Sequence, residues 1–370
     1  MAPEAAAVSE PEEQRVSGIG QRKADHLAIC ANEDVGFRHF STLFEEVRLV
    51  HDALADLDER TVDTSCTLLG KKLRAPVIIA AMTGGTDEAG SVNRELARIA
   101  EEKGLGFGLG SQRAMLVRPE TASSYRVRDV APTTLVLGNV GVVQAKAMSN
   151  DQLRALVGDV GADALCVHLN PAMELVQPGG DRDFSGSLDT IARLVADLHI
   201  PIVVKETGCG LSPEVGRRLR NVGVQNLDVS GAGGTSWVGV EAKRAEVAGD
   251  SASKSLGETF WDWGIPTAAS VALLAPLRFR SLIATGGVAS GLDVAKALVL
   301  GASAAGIARP ILKALRAGGP AGATASIDAI VRELRAAMLL TGSRDVRALG
   351  RARRVIKGEL ALWIDQLSGH

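Results

Sequence analysis

Short, continuous apolar runs alternate along the chain with longer segments of helical spacing. Eight runs stand out: Pro76–Met82, Leu105–Gly110, Thr134–Gly138, Asp163–Leu169, Pro201–Lys205, Val224–Ser230, Ser281–Thr285 and Ser303–Ala308. Strands apolar on both faces belong in buried parallel sheets. Between them, Val92–Lys103 sets Leu96, Ile99 and Ala100 on one helical face. Asn150–Gly161, Leu188–Leu198, Pro213–Val222, Thr267–Pro276 and Leu292–Leu300 read in the same way. Ser212-Pro213 supplies an N-cap followed by proline at the first helical position. Eight strand-helix units predict an α/β protein, a (β/α)8 TIM barrel rather than an open doubly wound sheet. Ala321–Leu367 reads as two helices packed outside it.

The residues just past each strand carry the chemistry. They are Thr83-Gly84-Gly85, Ser111-Gln112-Arg113, Asn139, His168-Leu169-Asn170, Lys205-Glu206, Ser230-Gly231, Gly286-Gly287 and Arg309. In a (β/α)8 barrel these C-terminal strand ends form the active-site face, so the polar groups converge on one pocket. The glycine alternation from Gly104 to Gly110 lies on a strand and reads as barrel packing rather than a phosphate loop. No Walker loop and no H-E-x-x-H motif competes.

Composition narrows the class. With 370 residues the chain is long enough for one large barrel domain, expected over residues 21–370. Met1–Ser17 is rich in Ala, Pro and Glu, lacks a signal-peptide pattern, and points to a disordered tail over residues 1–20. A net charge of -2 and few aromatic residues argue against a nucleic-acid surface. No apolar stretch reaches bilayer length, so no membrane partner is expected. Cys30, Cys66, Cys166 and Cys209 are scattered, which suits free thiols in a reducing cytoplasm.

Gly286-Gly287 and Ala308-Arg309 follow the last two strands, the usual phosphate site of such barrels. The loop from Ser230 to Thr235 adds a third glycine-rich element; the plain alternative is a set of tight turns. Lys205 ends an apolar strand, where an unpaired cation is costly. A Schiff base, a phosphate contact or the N1/O2 side of a reduced flavin would each suit it. His168 and Asn170 share one strand face. Glu174 suits Mg2+, which binds few carboxylates plus substrate phosphate oxygens, or is a solvated loop carboxylate. Arg22, Lys23, His26 and Arg113 together would clamp a diphosphate; alone, Arg22-Lys23 is an ordinary surface pair.

These residues in this order resemble the type 2, FMN-dependent isopentenyl-diphosphate delta-isomerase family. The resemblance runs from Arg22-Lys23-Ala24-Asp25-His26 through Ala81-Met82-Thr83-Gly84-Gly85, Gly110-Ser111-Gln112-Arg113 and His168-Leu169-Asn170-Pro171. It continues through Gly180-Asp181-Arg182-Asp183-Phe184, Asp228 to Trp237 and Thr285-Gly286-Gly287-Val288. It implies FMN contacts from Ala81, Met82, Thr83, Ser111, Asn139, Lys205, Ser230, Thr235, Gly286, Gly287, Val288, Ala308 and Arg309. It implies substrate contacts from Arg22, Lys23, His26, Ser111, Gln112, Arg113, Asn170 and Met173, with Mg2+ at Glu174. His168 and Lys205 are then the catalytic candidates beside reduced FMN, with NADPH as reductant, a prenyl diphosphate as substrate, and a homo-oligomer (tetramer or octamer) as assembly. One departure is clear: the family reads His-x-Asn-x-x-Gln-Glu, and this chain has Met173 at the Gln position. Two alternatives share these features, an FMN-dependent 2-hydroxy-acid dehydrogenase or oxidase and a non-catalytic flavin-binding homologue.

Overall fold

The computed structural model describes residues 12–368, with side chains from residue 20 onward. Its centre is a closed parallel barrel of eight strands in sequential order, the last pairing with the first. The strands are β1 (Val77–Ile79), β2 (Gly106–Gly108), β3 (Leu135–Gly141), β4 (Ala164–His168), β5 (Ile202–Lys205), β6 (Asn226–Asp228), β7 (Ser281–Ala284) and β8 (Ala304–Ile307). Each lies within, or overlaps, one of the eight apolar runs. The barrel interior is filled by Leu135, Leu137, Ala164, Cys166, Val203, Ile283 and Ala304, all buried. Such layers make the barrel a packed core rather than a pore.

The glycines of β2 act in packing, as their strand position implies. A Cβ on Gly108 would lie 2.8 Å from the Ala81 nitrogen, and one on Gly110 2.4 Å from the Thr83 carbonyl oxygen. The end of β1 therefore lies against β2 closer than any side chain permits.

The helices used below are α1 (Glu12–Asn32), α2 (Asp87–Lys103), α3 (Asn150–Val160), α4 (Pro171–Val176), α5 (Ser187–Asp197), α6 (Pro213–Asn221), α7 (Trp237–Val247), α8 (Thr267–Leu274), α9 (Gly291–Leu300) and α10 (Arg309–Leu340). Their starts are written in the sequence. Ser212 accepts from the Val215 amide ahead of α6, and Ser149 with Gln152 closes a capping box on α3.

Two expectations need correction. α1 begins at Glu12, inside the stretch read as a disordered tail. The part of that reading on residues 1–11 lies outside the described residues. The C-terminal region holds more than two helices. α10 is broken at Gly318 and Gly319 before Pro320, and a strand Arg354–Ile356 pairs antiparallel with Val47–Leu49. That pairing joins distant segments, which local pattern cannot reveal.

Candidate active site

At the C-terminal face of the barrel lies a cavity of about 620 Å³, within the usual range of about 300–1,000 Å³ for small-molecule and cofactor sites. Parallel register brings Gly141, His168, Lys205 and Asp228 to neighbouring positions on its rim. Nearly every residue singled out from sequence lines this one space: Arg22, Lys23, His26, Ala81, Met82, Ser111, Arg113, Asn139, His168, Asn170, Met173, Glu174, Lys205, Ser230, Thr235, Gly286, Gly287, Val288, Ala308 and Arg309.

Two do not line it. Gln112 is fully buried behind β3, where its Oε1 accepts from the Asn139 amide at 2.9 Å and its Nε2 donates to the Leu156 carbonyl at 3.2 Å. Its side-chain amide is therefore spent on the scaffold rather than turned into the cavity. Thr83 is also buried outside the cavity wall, and its Oγ1 has no partner among the described residues. Sequence reasoning assigned no role to Asp228, Gln144, Gln177 and Thr207, which the fold adds to the wall. Asp228 had a signal, a carboxylate at a strand end on the barrel's C-terminal face.

The glycine-rich loops meet tightly. A Cβ on Gly286 would sit 2.1 Å from the Gly231 carbonyl oxygen, and one on Gly234 2.3 Å from the Gly287 nitrogen. Gly233, Gly286 and Gly287 all have positive φ. Ser230 adopts φ 38°, a strained value of the kind found at ligand-binding turns. This cradle of bare backbone fits a phosphate-bearing cofactor such as FMN. Opposite it, the Lys205 Nζ donates to the Glu206 carbonyl at 2.5 Å. Among the described residues Lys205 forms no ion pair, although Asp228 is its register neighbour. Asp228 is held by the Thr285 hydroxyl at 2.5 Å and the Ser230 amide at 3.2 Å. Burial raises the Asp228 carboxyl above its usual range while Lys205 opposes that shift.

His168 is fixed by Asn139. The Asn139 Nδ2 donates to the Leu109 carbonyl at 3.0 Å, which turns its Oδ1 toward the His168 Nδ1 at 2.9 Å. Nδ1 therefore carries the proton and Nε2 is the acceptor. Burial, together with Lys205, Lys23 and Arg113, pushes His168 down to about 3, so its ring is neutral at physiological pH.

A second cluster faces the cradle. Burial, Arg22 and Arg113 lower Lys23 to about 8, and burial also lowers Arg22. Such uncompensated positive charge suits a polyanionic ligand. Arg113 donates to Asp181 at 2.9 Å, and the same carboxylate oxygen accepts from Gln144 at 2.7 Å. His26 meets Glu241 at 2.7 Å, and Glu241, fully buried, also accepts from Arg244 at 2.7 Å. Glu174 accepts from Asn170 at 2.9 Å, Gln177 at 3.2 Å and the Asp181 amide at 2.8 Å. Among the described residues no three His, Cys, Asp or Glu side chains cluster as a metal cage. A single oriented carboxylate is nonetheless what Mg2+ uses when a substrate phosphate completes its shell.

Arg309 lines the cavity, yet its guanidinium is turned to α1. Its Nε donates to the Cys30 carbonyl at 3.0 Å and its terminal nitrogen to the Glu33 carbonyl at 2.5 Å.

Comparisons with known proteins agree with this geometry. A family profile for FMN-dependent dehydrogenases matches residues 17–168 and 168–356. The chain is 44% identical over 345 residues to the isopentenyl-diphosphate delta-isomerase of Methanosarcina barkeri, covering 93% of each protein. It is 45% identical over 341 residues to that of Methanococcoides burtonii, covering 90% of this chain and 92% of the relative. Among solved structures, a flavocytochrome b2 with sulfite bound superposes with a TM-score of 0.67 at 21% identity, covering 94% of this chain and 86% of that one. A Pediococcus acidilactici lactate oxidase does so at 0.65 and 16% identity, covering 96% and 97%. At such identities these two show the fold alone. Conserved over nearly its whole length with the first group and folded like the second, the chain belongs to the FMN-dependent, type 2 isopentenyl-diphosphate delta-isomerase family.

Proposed function

We propose that this chain interconverts isopentenyl diphosphate and dimethylallyl diphosphate by proton transfer beside reduced FMN, with Mg2+ bound through Glu174. The observation that carries the reading is the sharing of one cavity by a bare-backbone cradle and a separate cluster of Arg22, Lys23, His26 and Arg113. Four cationic or protonatable groups exceed what the single carboxylate of a 2-hydroxy acid needs, and they suit a diphosphate.

The reaction protonates an unactivated alkene and removes a proton from a neighbouring carbon, passing a tertiary cation that water must not reach. Bound and reduced, FMN supplies an electron-rich ring and an exchangeable proton to such a substrate. The protein's residues hold and orient. Arg22, Lys23 and Arg113 grip the diphosphate, so that binding energy far from the alkene fixes the alkene's position. Glu174, oriented by three hydrogen bonds, would hold Mg2+, which would supply positive charge to the diphosphate. Lys205 places a positive charge on the cofactor side, where it favours an anionic reduced ring. Neutral His168 offers Nε2 as a hydrogen-bond acceptor and not as an acid. Met173 has no exchangeable proton and contributes an apolar wall. The cofactor contacts follow the same reading: Ala81, Met82, Ser111, Asn139, Ser230, Thr235, Gly286, Gly287, Val288 and Ala308.

NADPH is proposed as reductant and a homo-oligomer, tetramer or octamer, as the assembly. Among the described residues no helix is long and apolar enough to cross a membrane; with four free cysteines, a cytoplasmic location is proposed. The test is anaerobic incubation with isopentenyl diphosphate, Mg2+, FMN and NADPH, following the allylic isomer. Appearance of dimethylallyl diphosphate only when the flavin is reduced is expected. Flavin binding without any isomer formed would reject the proposal in favour of a non-catalytic flavoprotein.

A further inference from the structure

We infer that Arg309 is a positioning residue for the substrate site: its guanidinium caps the C-terminus of α1 and locks that helix to the cofactor cradle. α1 carries Arg22, Lys23 and His26 into the cavity. A helix leaves its last carbonyls without internal partners and its C-terminal end partly negative, so a cation there both satisfies and stabilises it. Of the terminal carbonyls, that of Ile29 is taken by the Glu33 amide. That of Cys30, and the carbonyl of Glu33 just past the helix, are taken by Arg309, which starts α10 immediately after β8. Cys30 stands one helical turn beyond His26, so the cap fixes the backbone on which the substrate cations ride. Among the described residues Arg309 forms no ion pair that would compete for it.

The same junction is fastened a second time. The segment after α1 runs against the glycine-rich loop, with a β-bridge from Gly36 to Thr235. The Ser236 amide donates to the Val35 carbonyl at 2.8 Å and the Phe37 amide to the Gly234 carbonyl at 3.3 Å. Cradle and substrate helix are therefore one mechanical unit, with Arg309 as its side-chain pin. A displacement of α1 would misplace Arg22, Lys23 and His26 together.

This inference deepens the diphosphate reading and rests on it, and it differs from assigning the Arg309 side chain to the flavin phosphate. The test compares wild-type holoenzyme with Arg309→Met and Arg309→Lys in three measurements. These are KM and kcat for isopentenyl diphosphate, the FMN dissociation constant by fluorescence, and amide hydrogen exchange over residues 26–33. Arg309→Met, which removes both contacts to the end of α1, is expected to raise KM about tenfold, with kcat and FMN affinity within about twofold. Exchange over residues 26–33 accelerates, and Arg309→Lys, which keeps one donor, falls between. A tenfold or greater loss of FMN affinity would hand the guanidinium to the flavin phosphate and overturn the inference. So would unchanged exchange in a folded Arg309→Met protein. If wild-type enzyme turns over no isopentenyl diphosphate, the functional reading fails, while the exchange and flavin measurements still decide what Arg309 holds.

Discussion

Lys205 and Gly286 stand where barrel strands end, whereas Arg22, Lys23 and His26 arrive on a helix well ahead of the first strand. Both groups face the same cavity, but they are held there differently. The side proposed for the cofactor is made of backbone: glycines packed too closely for any Cβ, a strained serine, and a lysine fixed by strand register. The side proposed for the diphosphate is made of long side chains on α1, on the segment after β2 and on α4, tied together by contacts between residues far apart in sequence. Shape governs the first and charge the second. Damage to the cofactor side should therefore be abrupt, and damage on the diphosphate side graded and dependent on pH.

The largest expected effect tests the cofactor side by charge alone. Lys205→Ala should lower kcat by about 10²–10³-fold, the usual loss when one preorganised electrostatic partner is removed. It should still unfold in one cooperative thermal transition, because Lys205 forms no ion pair among the described residues on which the barrel depends. Retained full activity would remove Lys205 from the mechanism. Next comes shape. Gly286→Ala forces a Cβ to 2.1 Å from the Gly231 oxygen at φ 98°. It should destabilise the fold by about 1–3 kcal/mol in urea unfolding and weaken FMN binding measurably by fluorescence. Unchanged flavin affinity would show that the cradle is not the cofactor's.

On the diphosphate side the dependence on pH decides. Lys23, lowered to about 8 by burial, Arg22 and Arg113, is charged below that value and neutral above it. KM for isopentenyl diphosphate should thus be flat below pH 8 and rise above it, approaching about tenfold per pH unit if this one proton is required. Lys23→Met should raise KM at neutral pH and abolish the upturn, and an upturn surviving in that variant would assign it elsewhere. The smallest effect is expected at Met173. General acid-base residues contribute about 10²–10⁴-fold, so a gain of that size in Met173→Gln would mean that a missing proton donor limits this chain. A change below about tenfold is expected, in keeping with an apolar wall.

Much of this contrast was legible in the sequence. The strands were visible because a parallel barrel strand, buried on both faces, is mostly apolar, and its short length and flanking turn residues set such a run apart from the longer helices between. Lys205 was visible because a cation closing the run Ile202-Val203-Val204 violates that rule. Gln112 shows the complementary limit. Polarity just after a strand end marks the functional face, but not whether an amide points into the cavity or back at Asn139 and Leu156. Arg309 lines the same cavity as Gly286 and Gly287, while its partners, the carbonyls of Cys30 and Glu33, come from the other end of the chain.

Sequence alone determined the barrel, the face that works, and the residue types gathered there, because those follow from local periodicity and from the cost of burying polar groups. Only the tertiary structure decided that α1 closes over the cradle, that Asn139 sets the His168 tautomer, and that Glu241 stands behind His26. Each of these is a hydrogen bond between distant segments. Its geometry exists only once the barrel has closed and brought both partners to one rim.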